Sequence, residues 1–141
     1  MLALTLLVCA VFVLLAAWHF RMAFSPSSGT NGAVPSVDGK PLFSPSRGST
    51  AGVGVVLLAF AALVAATGGL IPVGAPHGTL TWLSCALALA LLARAIGEFR
   101  YVGFFKRVRG SRFAKLDTLF YSPLCLLLAF GVAAVALQGG S

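Results

Sequence analysis

Apolar residues in this chain run in three long uncharged tracts, 1–20, 48–93 and 118–141, and every Asp, Glu, Lys and Arg falls in the windows between them, 21–47 and 94–117. A membrane-spanning helix takes about 20 apolar residues at ~1.5 Å rise each. The outer tracts therefore hold one span apiece, and the 46-residue middle tract holds two. That tract must fold back, because hydrocarbon admits no exposed irregular backbone and a single helix of this length would overrun it. The break is GGLIPVGAPHG, residues 68–78, with Pro72, Pro76 and four glycines. The pattern predicts an all-α fold: a single integral membrane four-helix bundle, with spans at about 1–21, 51–71, 79–98 and 118–138 and connections at 22–50 and 99–117.

Composition agrees with that solvent. The chain is 59% hydrophobic and 9% charged, with a mean hydropathy of +0.99, whereas a water-facing globular surface draws on ~25% charged residues. Four spans with a tight central turn put both charged windows, and so all ten Lys and Arg residues, on one side of the membrane. Lys and Arg are enriched in cytoplasmic loops, so that side is expected to be the cytoplasm and both termini are expected outside. The net charge of +7 is then a topology signal. It also points to anionic lipid headgroups, with Arg100, Lys106, Arg107, Arg109, Arg112 and Lys115 as the expected contacts. Nucleic acid is not an expected partner, because these cations adjoin membrane helices and form no separate soluble module.

Local features refine each span. Residues 1–18 lack the basic leader of a cleaved signal peptide, which predicts an uncleaved start. Trp18, His19, Phe20 and Arg21 close the first span as an interfacial belt. The Gly, Ser and Pro-rich connection at 25–50 has turn signals at Ser25-Pro26, Asp38-Gly39 and Ser44-Pro45, and reads equally as a cap over the bundle mouth or as a disordered loop. Ser49 or Thr50 is the expected N-cap of the second span, and Ala61, Ala65 and Gly69 form a small-residue stripe along it. Ala86 and Ala90 continue that pattern on the third span, which is expected to begin near Thr79, and Arg94 and Glu98 follow on the same face at pairing distance.

Between the third and fourth spans, residues 98–112 predict a short amphipathic segment lying as a helix in the headgroups. Tyr101, Phe104, Phe105 and Val108 group on one side, roughly opposite Arg100, Lys106 and Arg107, and Gly103 and Gly110 weaken the helix. Two starts for the last span are open. Asp117 can cap it, with Pro123 as a kink, or Ser122 can cap it with Pro123 at the first helical position.

Little of the chemistry-bearing inventory converges. Cys9, Cys85 and Cys125 lie singly in different spans with no C-x-x-C pair, against a thiol redox enzyme. His19 and His77 fall at opposite membrane ends, ~30 Å apart, so no metal or other cofactor is expected. No Asp or Glu lies inside a span, as a proton-coupled exporter would need. What remains is a ring of polar groups at the cytoplasmic mouth: His19, Arg94, Glu98, Asp117 and Tyr121. It reads either as an interhelical clasp or as a catalytic site in which His19, Glu98 or Asp117 acts as general acid or base on a lipid-soluble molecule. Mutual compensation of Arg94, Glu98 and Asp117 favours the clasp.

The run 98–125, EFRYVGFFKRVRGSRFAKLDTLFYSPLC, carries a family resemblance. Its Arg-Tyr-Val-Gly segment, basic run, Phe-Ala-x-x-Asp stretch and Tyr-Ser-Pro-Leu-Cys start resemble the small bacterial four-span proteins of domain-of-unknown-function family 3995. Trp18-His19, Asp38-Gly39 and Pro41 to Pro45 are similar to that family's pattern too. The resemblance implies a bacterial inner-membrane protein and no particular activity. The expected role is accessory, scaffold or lipid-contacting, with a membrane-protein partner or a second copy as possible company; the alternative is an isomerase or lipid-modifying enzyme at the cytoplasmic face.

Overall fold

The structure is a computed structural model, and it describes residues 1–25, 36–38, 40–41, 46–97, 103–107 and 109–139. Its helices are α1 (Leu2–Phe24), α2 (Arg47–Thr67), α3 (His77–Ile96), α4 (Arg112–Leu116) and α5 (Ser122–Gly139), the last two joined by a π-helical turn, Asp117–Tyr121. Among the described residues, four helical stretches are long and apolar enough to cross a membrane: α1, α2, α3 and the continuous run Arg112–Gly139. The fold is the expected all-α four-helix membrane bundle. Among the described residues the bundle also carries an antiparallel ribbon of two-residue strands, Ser36–Val37 with Lys40–Pro41, turned at Asp38, whose φ of 50° suits the predicted Asp-Gly turn.

Helix ends follow local chemistry, and two of them correct the sequence reading. The N-cap of α2 is Ser46, whose Oγ accepts from the Ser49 amide at 3.1 Å while Ser49 Oγ donates back to the Ser46 carbonyl at 2.9 Å. Ser49 and Thr50 thus lie inside the first turn. α3 starts at His77, directly after Pro76 and two residues ahead of Thr79. The last span starts at neither Asp117 nor Ser122 but at Arg112, where Ser111 caps it by accepting from the Ala114 amide at 3.0 Å. Pro123 then lies inside a continuous helix. The π turn before it makes this tolerable: the Ser122 amide donates to the Asp117 carbonyl five residues back. That wider turn loosens the helix where a proline ring would otherwise meet a carbonyl.

α1 packs chiefly on α2 and α3 chiefly on α5, and the two pairs share a core that includes Phe12, Val64, Leu87, Leu128 and Val132. The α1–α2 seam runs through Gly54, Ala61 and Gly68, seven residues apart. A side chain at Gly54 would meet the Phe20 ring at 3.0 Å, and one at Gly68 would meet Thr5 at 2.5 Å. Seven-residue spacing keeps one seam facing its partner as two helices wind around each other. The anticipated stripe was spaced by four. Of its members Ala61 is buried, but Gly69 is exposed in the turn, and on α3 Ala86 and Ala90 are exposed while Ser84, Ala88 and Ala95 are buried.

The same approaches define two ends. Thr5 meets Gly68, and Gly139 lies against the Thr67 carbonyl and the His77 ring, at the end that has no Lys or Arg. Arg21, Arg47, Arg94 and residues 103–107 and 109–117 gather at the other.

Candidate functional site

Residues 103–107 form turns, so across these described positions the connection between spans 3 and 4 is not the flat helix expected there. Its course is set by glycine. Gly103 has φ 89°, and a side chain on it would collide with the Ile96 carbonyl and with Gly97 at the end of α3. Only a residue without Cβ takes that conformation so close to another backbone. The Phe104 amide then donates to the Ala95 carbonyl at 2.9 Å, stitching the connection onto α3.

This brings the Gly103 amide to Asp117, the first residue of the π turn. Asp117 is fully buried, at 0% exposure. Its Oδ1 accepts from Arg94 Nη2 at 3.0 Å and Ser122 Oγ at 3.1 Å. Its Oδ2 accepts from the Gly103 amide at 2.6 Å and Lys106 Nζ at 3.0 Å. Four donors on two oxygens is the pattern of an ionised carboxylate, which accepts only. Ser122 reaches Asp117 because the π turn stacks residues five apart.

Lys106 is equally saturated. Besides Asp117, its Nζ donates to the Gly103 carbonyl at 2.8 Å and Thr118 Oγ1 at 2.6 Å, three acceptors for three hydrogens. It is 2% exposed, so the expected headgroup contact at Lys106 is corrected: it is an internal partner. The reason is electrostatic. A carboxylate removed from water is tolerable only with close opposite charge and filled hydrogen-bond positions, and Arg94 engages it through a single nitrogen.

The other predicted residues are placed as follows. Arg94 and Asp117 come together as a clasp. Glu98 and Arg100 lie outside the described residues, and with them the expected Arg94–Glu98 pair. Tyr121 is half-buried with its ring centroid 5.8 Å from that of Phe113. His19 Nδ1 donates to the Leu15 carbonyl of its own helix at 2.7 Å and is not among the described hydrogen-bond partners of the clasp. Beside it Arg21 lies 5.9 Å over the Trp18 ring, as an interfacial belt would have it. Arg107, Arg109, Arg112 and Lys115 are exposed. Cys9 Sγ donates to the Ala61 carbonyl at 3.4 Å, on the α1–α2 seam. Among the described residues no three of His, Cys, Asp and Glu gather closely enough to hold a metal ion.

Sequence reasoning missed Gly103, Thr118 and Ser122 as parts of the site. Gly103 was visible only as a helix weakener. Ser122 was visible as a cap, and its donation to Asp117 depends on a π turn that no residue pattern announces.

Comparison with known proteins bears on the whole chain. No curated protein and no solved structure matches it. The family described as "Protein of unknown function (DUF3995)" matches residues 3–132. That match takes in nearly all of the first three spans, most of the fourth, and the Arg94–Asp117–Lys106 cluster, and the chain belongs to this family.

Proposed function

We propose that this protein is a non-catalytic accessory or scaffold of the bacterial inner membrane, with both termini in the periplasm. Its cytoplasmic end is held shut by the Arg94–Asp117–Lys106 clasp, and its remaining cations meet anionic headgroups. The observation that carries this reading is the saturation of Asp117: all four positions at which its carboxylate can accept are filled, two of them by cations. A general base needs a lone pair aimed at substrate. Asp117 has none to spare, whereas a structural clasp works best when every partner is satisfied. With Asp117 and Lys106 spent on each other, Arg107, Arg109, Arg112 and Lys115 stand exposed at headgroup level.

Replacing Asp117 with Asn tests the role. Removing one partner of a buried ion pair destabilises by ~3–5 kcal/mol. Asp117→Asn should therefore lower the thermal unfolding midpoint in detergent by many degrees. An unchanged midpoint would end the clasp reading and turn attention to catalysis. Orientation is tested separately: alkaline phosphatase fused after Ser141 should be active, and a fluorescent protein fused there dark.

A further inference from the structure

Burial divides the start of the last span into two faces. Phe113, Ala114 and Asp117 are buried against the bundle, while Arg112, Lys115, Leu119 and Phe120 are exposed. Arg112 and Lys115, three residues apart on a helix, are neighbours with ~5–6 Å between their Cβ atoms. Leu119, four residues beyond Lys115, comes one turn farther along the same side, and Phe120 is exposed beside it. Leu127 and Phe130, both exposed and at helical spacing from Phe120, continue that side toward the middle of the span. Two adjacent cations thus head an apolar stripe that runs into the hydrocarbon. Nothing acidic offsets them. From residue 99 to the end of the chain Asp117 is the sole acid, and it is held inside the bundle by Arg94 and Lys106. Arg109, exposed and three residues before Arg112, adds a third positive charge. Its Nε donates to the Lys106 carbonyl at 3.0 Å, which anchors the guanidinium to the connection.

We propose that this face binds one phospholipid carrying two phosphates, a diphosphatidylglycerol, with Arg109, Arg112 and Lys115 on the phosphates and the acyl chains along Leu119, Phe120, Leu127 and Phe130. Charge complementarity selects the occupant. A headgroup with one phosphate brings one negative charge to three exposed cations, whereas two phosphates on a glycerol bridge bring two separated charges to the neighbouring pair Arg112 and Lys115. Two features set this apart from diffuse attraction to the bilayer. Arg109 is anchored before any lipid arrives, so less side-chain freedom is lost on binding. The cations and the apolar stripe also share one face of one helix, so a single molecule reaches both. The proposal rests on the placement of these cations at headgroup level and narrows it to one site.

Native mass spectrometry of the full-length protein in neutral detergent, titrated with diphosphatidylglycerol, should show one lipid retained about tenfold more tightly than phosphatidylglycerol, the effect of one further charge-assisted hydrogen bond. Arg112→Gln and Lys115→Gln, both at exposed positions outside the clasp, should keep the unfolding midpoint and each weaken retention about fivefold, the effect of one cation at an anionic surface. Arg47→Gln is the control. It removes the same charge from the same end of the bundle, at the exposed start of α2, and should leave retention as it is. A loss in Arg47→Gln equal to that in Arg112→Gln would mean diffuse attraction and overturn the site. Unchanged retention in either Arg112→Gln or Lys115→Gln overturns it too, as does equal retention of phosphatidylglycerol or phosphatidylcholine. Displacement by millimolar inorganic phosphate would overturn the lipid as occupant. Each of these failures leaves the clasp and the orientation standing, because those are read from the Asp117→Asn midpoint and from the fusions after Ser141.

Discussion

At the Lys/Arg end of the bundle, two spans and their connection converge on a carboxylate that water does not reach, held by an arginine, a lysine, a serine and a backbone amide. At the opposite end no ion pair is described. Thr5 fills the space over Gly68, and Thr67 Oγ1 and Ser84 Oγ bond at 2.8 Å between α2 and α3, with Thr67 also donating to the Leu63 carbonyl at 2.8 Å. The difference follows from what each solution demands. A buried charge holds structure only when every partner is present, so the clasp is all-or-none. Small-residue packing and hydroxyl bonds accumulate in small steps, about 0.6 kcal/mol for a typical hydrogen bond between membrane helices. One end is therefore brittle and the other graded.

Mutations can break or sharpen that contrast. After Asp117→Asn, the next largest effect is expected from Gly103→Ala. A left-handed backbone costs a residue with Cβ roughly 1–2 kcal/mol, and forced overpacking adds about 1–3. The new methyl group would also push the Gly103 amide off Asp117. Loss of folded protein in a detergent thermal scan, nearly as severe as for Asp117→Asn, is the expected result. A mild effect would show that the backbone amide is dispensable.

At the uncharged end, Gly68→Ala places a methyl group against Thr5 and should destabilise by about 1–3 kcal/mol. Thr5→Ala in the same chain should recover much of that loss, and a double-mutant cycle measures the coupling. Additive effects would mean that the helices separate slightly instead of sharing the space. The smallest change is expected from Thr67→Val, about 0.6 kcal/mol. A loss as large as that of Asp117→Asn would erase the distinction between the two ends.

How much of this was legible depended on how far apart the deciding residues lie. The four spans were plain because a lipid-facing turn must be apolar whatever it packs against, and residues 1–20, 48–93 and 118–141 obey that turn by turn. Arg94 and Asp117 could be named because charges at a span end are few. Their bond, 23 residues apart, could not be drawn. The sequence grouped Arg94, Glu98 and Asp117 as mutually compensating charges, and helical spacing, a local rule, could specify only the Arg94–Glu98 pair within that group. It sent Lys106 to the lipid because nothing local separates it from Arg107.

The number of spans, the gathering of cations at one end and the turn after Thr67 were settled by composition and local backbone chemistry alone, since each depends on a residue and its near neighbours in the chain. Tertiary structure decided which cation goes inside. Gly103 lets the connection press on the end of α3, the π turn aims Ser122 and Asp117 together, and Lys106 then lies where a second positive charge is required. Burial of a charge is a property of the assembled environment, and no residue carries it in its own identity.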